Sequence, residues 1–179
     1  IMCGIAGFLS NNGDEVSTLF KMNEIIKHRG PDDEGYYSSD TKYNSKQYKG
    51  NDTIKSFDKF DHINKNNSKV IVGLAHRRLS ILDITEKGHQ PMLDLSERYV
   101  IIHNGEVYNY LEIKKELLRK GYKFISNTDT EVILNSYIEW KDDCVYKFIG
   151  MWSFAIWDNL EKKIFISRDR FGIKPLYYF

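Results

Sequence analysis

The sequence predicts an α+β fold with antiparallel sheets. Three observations carry this: strand-like segments outnumber helical ones, most are joined through short turns, and the helices fall in a middle block. The 179 residues, 41% hydrophobic and 14% aromatic, are enough for one large domain with its own core. No apolar run approaches the ~20 residues of a membrane helix, so no membrane partner is expected. Twenty-six Lys plus Arg against 25 Asp plus Glu leave a formal charge of +1, which argues against a nucleic-acid binder. The only cysteines are Cys3 and Cys144, with no CxxC pair, which suits a reducing cytoplasm. The N-terminus shows no charged, then apolar, then small-residue pattern, so no signal peptide is expected.

The run CGIAGFL from Cys3 to Leu9 is short, apolar and glycine-punctuated, the pattern of a buried strand. Val16, Leu19, Phe20, Met22 and Ile26 are close to helical spacing and predict a helix over Val16 to Lys27. The pattern stops at HRGPDDEG, which reads as a polar loop because Gly30 and Pro31 do not continue a helix. Ser38 to Lys69 holds seven Lys, five Asn, five Ser and four Asp and reads as a variable, solvated surface insertion. Within it Ile54, Phe57, Phe60 and Ile63 recur every three residues, leaving a short packed helix open.

VIVGLA (Val70 to Ala75) and YVIIH (Tyr99 to His103) have the β-branched content of buried strands. A helix follows over Tyr110 to Lys120, with Tyr110, Ile113 and Leu117 on one stripe and Gly121 placed to end it. Thr128 and Glu131 have the spacing of a capping box, so a second helix starts there with Asp129 in its first turn. GMWSFAIWD, KKIFISRD and KPLYYF read as three strands separated by turns. Phe179 falls in the last of these, which suggests a domain cut from a longer protein.

Cys3 lies beside Gly4 and Gly7. A lone cysteine is usually an inert, buried small hydrophobe. The alternative is a nucleophile whose base is its own α-amine; that group has a pKa of about 7.7 to 8.0, against about 8.5 for a thiol. None of His28, His62, His76, His89 or His103 has metal-ligand spacing to another, and no metal is expected. Attack on an amide needs donors aimed at the developing oxyanion. Asn104, following a strand, can offer its side-chain amide, and Gly105 an unobstructed backbone N–H, although an Asn-Gly pair is also a strong turn signal. In AHRRLSILD an arginine can grip a carboxylate in bidentate fashion or make a surface ion pair. Asp129 can simply complement a helix dipole; with Arg78 it would hold opposite ends of an α-amino acid.

MCGIAGF, HRGPDDEG, LAHRRLSILD, GHQPM, HNGEVYNY, TDTE, GMWSFAIWD and RDRFGIKPLYY, in that order, resemble the N-terminal glutaminase domain of glutamine-hydrolysing asparagine synthetases, a class II glutamine amidotransferase domain. The resemblance spans nearly the whole chain except Ser38 to Lys69. It implies an N-terminal-nucleophile hydrolase fold, a four-layer α/β/β/α sandwich with two antiparallel sheets, over 1–179. It implies that Cys3 attacks the glutamine side-chain amide, that Asn104 and Gly105 form the oxyanion hole, and that Arg78 binds the α-carboxylate. Leu79, Ser80, Ile81 and Leu82 would line the pocket, and Glu106 and Asp129 would surround the α-amino group; Arg77 occupies a variable position of its motif.

The resemblance further implies L-glutamine as substrate, no cofactor for this domain, and a C-terminal synthetase domain, absent here, that uses ATP and Mg²⁺ to amidate aspartate. A homodimer is left open. Two other readings stand beside this one: a glutaminase feeding another acceptor, and a catalytically silent glutamine-binding module. In one respect the sequence departs from the family: Ile1 and Met2 precede the cysteine, whereas the family's active form begins at it. While they remain, the nitrogen ahead of Cys3 is an amide without useful basicity, and little glutaminase activity is expected.

Overall fold

Apolar β-branched and aromatic residues fill most of the segments that pair as strands, because such side chains pack well on a pleated, half-buried surface. In the computed structural model, which describes residues 2–66 and 68–179, the strands form two four-stranded antiparallel sheets. The chain divides into two units, one running through Ile81 and taking in His89–Pro91, the other comprising Leu82–Gly88 and Met92–Phe179.

In the first unit β1 (Gly4–Glu15), β2 (Asp33–Asp40), β3 (Ser45–Tyr48) and β4 (Lys69–Arg78) pair in the order β1-β4-β2-β3. The register sets Arg77 of β4 opposite Gly4 on one side and Glu34 on the other, and Arg78 opposite Asp33. Helix α1 (Val16–Ile25) follows β1 directly and buries Val16, Leu19 and Asn23. Tyr36, Tyr48, Ile63 and Val70 join Val16 and Leu19 in this unit's core. The helix stops two residues short of Lys27 because Lys27–Arg29 tighten into a 3-10 turn, a common helix ending.

Two expectations are corrected here. HRGPDDEG is a loop only in part, since β2 begins at Asp33. Within it Asp33 and Glu34 are buried and answered by His89 and Arg77. Pairing is what makes so polar a strand tolerable inside. Ser38 to Lys69 is not a solvated loop either: its first residues finish β2, Ser45–Tyr48 is β3, and Tyr48 and Ile63 are core. The three-residue spacing within it produces two 3-10 turns, Lys55–Phe57 and Ile63–Lys65, rather than a helix. In 3-10 geometry side chains three apart eclipse, and Phe57 and Phe60 stack with ring centres 5.5 Å apart. Asn67 of that segment lies outside the described residues.

In the second unit β5 (Met92–Leu93), β6 (Tyr99–Val107), β7 (Gly150–Asp158) and β8 (Lys163–Arg168) pair in sequence order. Helices α2 (Tyr110–Arg119) and α3 (Asp129–Trp140) supply Ile113, Leu117, Val132 and Ile133 to a core shared with Trp152 and Phe154. Gly121, at φ 94°, follows α2 where a left-handed residue is needed. Thr128 caps α3 by accepting the Glu131 N–H at 3.3 Å. Glu131 does not complete the reciprocal box; its carboxylate takes the N–H groups of Ile125 and Ser126 at 2.8 and 2.7 Å. KPLYYF forms no strand. The Asp169 carboxylate collects the N–H groups of Phe171, Ile173 and Lys174, which bends the chain away from β8.

Candidate functional site

Cys3 stands just ahead of β1, half-buried, and its sulfur meets a stretch 76 residues away. The Leu79 N–H donates to Sγ at 3.3 Å, and the thiol in turn reaches the Leu79 carbonyl at 3.6 Å. A thiolate accepts such an N–H better than a thiol does. Arg29 Nε donates to the Cys3 carbonyl at 3.0 Å, so the nucleophile candidate is held at backbone as well as sulfur. Arg78 ends β4 as a buried residue, 4% exposed. Beyond it, Asp32 Oδ2 accepts the Ser80 N–H at 2.7 Å, while the Asp32 N–H donates to the Arg78 carbonyl at 3.1 Å. Thus Cys3, Arg78, Leu79 and Ser80 gather at one end of the first sheet; Ile81 is exposed. Gly30 makes this possible, because a Cβ there would lie about 2.5 Å from the backbone of Arg77 and Arg78.

Arg77, read as a variable position, is fully buried and saturated with partners. Its Nη1 donates to Asp52 at 2.6 Å, its Nε to the Asn23 carbonyl at 3.2 Å, and its Nη2 meets Glu34 at 2.9 Å and also Glu24. Lys27 adds a second cation on Asp52 at 2.5 Å. Burial opposes ionisation of Asp52, yet Lys27 and Arg77 together hold its carboxyl below the usual range. Glu24, Glu34 and Asp52 converge as metal ligands would, but the Arg77 guanidinium already pairs with each of them.

The second unit carries the remaining residues. Asn104 and Gly105 lie inside β6, opposite Ser153 and Trp152, and not after the strand as the sequence suggested. The ladder with β7 continues to Val107, which overrides the turn tendency of Asn-Gly. Glycine is required because a Cβ at Gly105 would run into the Met151 carbonyl and the Trp152 Cα. Asn104 Oδ1 is buried and makes no hydrogen bond among the described residues, so this amide is not committed to the fold through its oxygen. Asp129 opens α3 and accepts the Val107 N–H at 2.9 Å, tying the helix start to the end of β6. Burial pushes its carboxyl up to about 6, against three backbone hydrogen bonds that pull the other way. Glu106 and Leu82 are half-buried. His103, bonded to Thr130 at 3.1 Å, is pushed down to about 3 by burial and by the Lys174 charge.

Sequence reasoning missed the structural parts played by Arg29, Asp32, Asp33 and His89, and it gave Leu79 only a lining role. HRGPDDEG and GHQPM were visible as motifs, yet nothing in their composition distinguishes a buried, paired carboxylate from a solvated one.

A family model described as "Glutamine amidotransferase domain" matches residues 2–47 and 58–179. The chain is 42% identical over 195 residues to "Putative asparagine synthetase (glutamine-hydrolyzing) 2" of Methanocaldococcus jannaschii, covering 99% of this chain and 32% of the relative. It is 38% identical over 182 residues to "Asparagine synthetase (glutamine-hydrolyzing) 1" of Bacillus subtilis, covering 99% and 24%. The chain therefore spans between a quarter and a third of the length of these relatives. Among solved structures, the B. subtilis glutamine phosphoribosylpyrophosphate amidotransferase, complexed with ADP and GMP, superposes with a TM-score of 0.70 at 18% identity, covering 97% of this chain and 38% of that one. At that identity the likeness is one of fold: two antiparallel sheets with helices, as in N-terminal-nucleophile amidotransferases.

Proposed function

Since the chain belongs to the glutamine amidotransferase domain family, we propose that it hydrolyses the side-chain amide of L-glutamine through a thioester on Cys3. The ammonia would serve an ATP- and Mg²⁺-dependent synthetase domain that converts aspartate to asparagine in the longer cytoplasmic protein. One observation carries the reading: the Cys3 sulfur receives the Leu79 N–H one residue beyond the buried Arg78.

The steps follow from the groups present. The α-amine of Cys3, once it is the first residue, takes the thiol proton, and Sγ attacks the amide carbon. The resulting oxyanion is met by the Asn104 amide and the Gly105 N–H. The tetrahedral intermediate collapses, the C–N bond breaks, and the α-ammonium returns its proton to the leaving ammonia. Water then cleaves the thioester to give glutamate and restores the thiol. Arg78 binds the substrate α-carboxylate, Leu79, Ser80, Ile81 and Leu82 line the pocket, and Glu106 and Asp129 hold the α-ammonium.

The test is glutamate release from glutamine by the chain matured to begin at Cys3, beside Cys3→Ala and the form retaining Ile1 and Met2. Only the first is expected to turn over. Equal rates in the first two would reject Cys3 as nucleophile, and full turnover with Ile1 and Met2 attached would reject the α-amine as base.

A further inference from the structure

The family match breaks at residues 48–57, and this unmatched stretch is bonded to the charged end of the first sheet. The Asp52 N–H donates to Glu34 Oε1 at 2.7 Å, and Thr53 Oγ1 donates to the Glu34 carbonyl at 2.7 Å. The Ile54 N–H donates to Asp33 Oδ1 at 3.0 Å, while Asp33 Oδ2 faces His89 Nδ1 at 2.7 Å. Phe57 covers the His89 ring, with centres 4.0 Å apart. Gly50 lies so close to the Glu34 carboxylate that a Cβ would collide with it. Finally the Asp52 carboxylate accepts from Arg77 Nη1 at 2.6 Å.

Arg77 is where this strap meets the reacting end. It lies opposite Gly4, the neighbour of Cys3, and it precedes Arg78 and Leu79, where β4 ends. Past that end Leu79 has no ladder to hold it, yet its N–H is the donor to Sγ. Successive strand side chains point to opposite faces, so fixing the Arg77 guanidinium fixes the rotation of β4 and therefore the direction of Arg78. A fully buried guanidinium that loses one carboxylate shifts to recover the lost hydrogen bond, and its backbone shifts with it.

We propose that residues 50–57, within the stretch that the family match skips, form a strap in which Asp52, acting through Arg77, is a positioning residue for Arg78 and for the Leu79 N–H against the Cys3 sulfur. The proposal rests on the glutaminase reading for its kinetic consequence and on geometry alone for its chemical one.

The test uses the full chain matured to begin at Cys3, with Asp52→Ala, the isosteric Asp52→Asn, Asp52→Glu, and Asp58→Ala. Asp58 directly follows the strap, and its carboxylate, two-thirds exposed, pairs at 2.9 Å with Lys49. Two quantities are read well below the melting range: kcat and KM for glutamine, and the pH midpoint of Cys3 alkylation by iodoacetamide. In Asp52→Ala and Asp52→Asn, kcat/KM falls about tenfold or more, because small misplacements of reacting groups are costly. The alkylation midpoint in both moves upward as the sulfur loses its donor. Asp52→Glu recovers part of both effects, and Asp58→Ala changes neither. A lower melting temperature with unaltered kcat/KM and unaltered midpoint would overturn the proposal and leave the strap a stabilising element only. Asp52→Asn covers the case in which alanine prevents folding. If the wild type releases no glutamate, the glutaminase reading fails, while the alkylation midpoint still decides for or against the strap.

Discussion

The backbone N–H of Leu79 donates to Sγ of Cys3 across 76 residues of sequence, so one thiol of the chain sits half-open with a donor aimed at it. The other, Cys144, is fully buried, and burial pushes it up to about 12. Reactivity follows the thiolate and its access. Iodoacetamide at pH 7.5 is therefore expected to give a single adduct on the native chain, mapped by peptide mass spectrometry to Cys3. A second adduct appears only after denaturation; rapid labelling of Cys144 in the native chain would contradict the structure.

Arg78 is buried at the end of β4, where a planar guanidinium can meet a carboxylate with two parallel hydrogen bonds and an ammonium cannot. Arg78→Lys is expected to raise KM for glutamine by about tenfold to a hundredfold, with a smaller effect on kcat, measured by initial rates of glutamate release. A larger loss in kcat than in KM would place Arg78 in the chemical step instead.

Asp129 supplies a pH dependence with a definite sign. Its pKa rises from 3.8 to about 6 on folding, so the folded chain binds this proton more tightly than the unfolded chain. Its contribution to stability is fully present below pH 3.8 and is lost as pH climbs through 6, a change on the order of 3 kcal/mol. His103 runs the other way. Its pKa falls from 6.5 to about 3, so its contribution is present above pH 6.5 and is lost as pH falls toward 3. In thermal melts across pH 4 to 7, Asp129→Asn should gain on the wild type as pH rises and level off above 6. Because the ionised form is the one that would hold the substrate ammonium, KM for glutamine in the wild type should rise as pH drops below about 6. A KM flat from pH 5 to 7 would remove Asp129 from the binding site.

Gly105 has no room for a side chain against Met151 and Trp152. Gly105→Ala is expected to cost about 2 kcal/mol or more, roughly 4–8 °C in melting temperature for a chain of this size. An unchanged melting temperature would mean that β6 and β7 can part without penalty.

Where local chemistry and tertiary packing agree, the elements were legible. Thr128 announces α3, Gly121 ends α2, and the aromatic alternation of GMWSFAIWD becomes β7 over the expected residues. The strands that escaped notice, β2 and β3, are built from residues such as Asp33, Glu34, Ser38 and Lys46, whose burial or pairing depends on partners distant in sequence. Composition marks such residues as solvated, whereas Arg77, 43 residues from Glu34, and His89, 56 residues from Asp33, are among the partners that make their burial tolerable. The candidate residues divide in the same way. Cys3, Arg78, Asn104 and Asp129 were singled out through motifs, whereas a backbone N–H such as that of Leu79 has no signature in residue type. KPLYYF shows the opposite error, a β-prone run whose donors are drawn off by the single carboxylate of Asp169.

β1 is an outermost strand of its sheet, bonded to β4 on one side only, and Met2 ahead of it is already 37% exposed. On the glutaminase reading, removal of residues ahead of Cys3 would therefore leave the pairing of β4 with β2 untouched, and exposing the α-amine would not require the sheet to open.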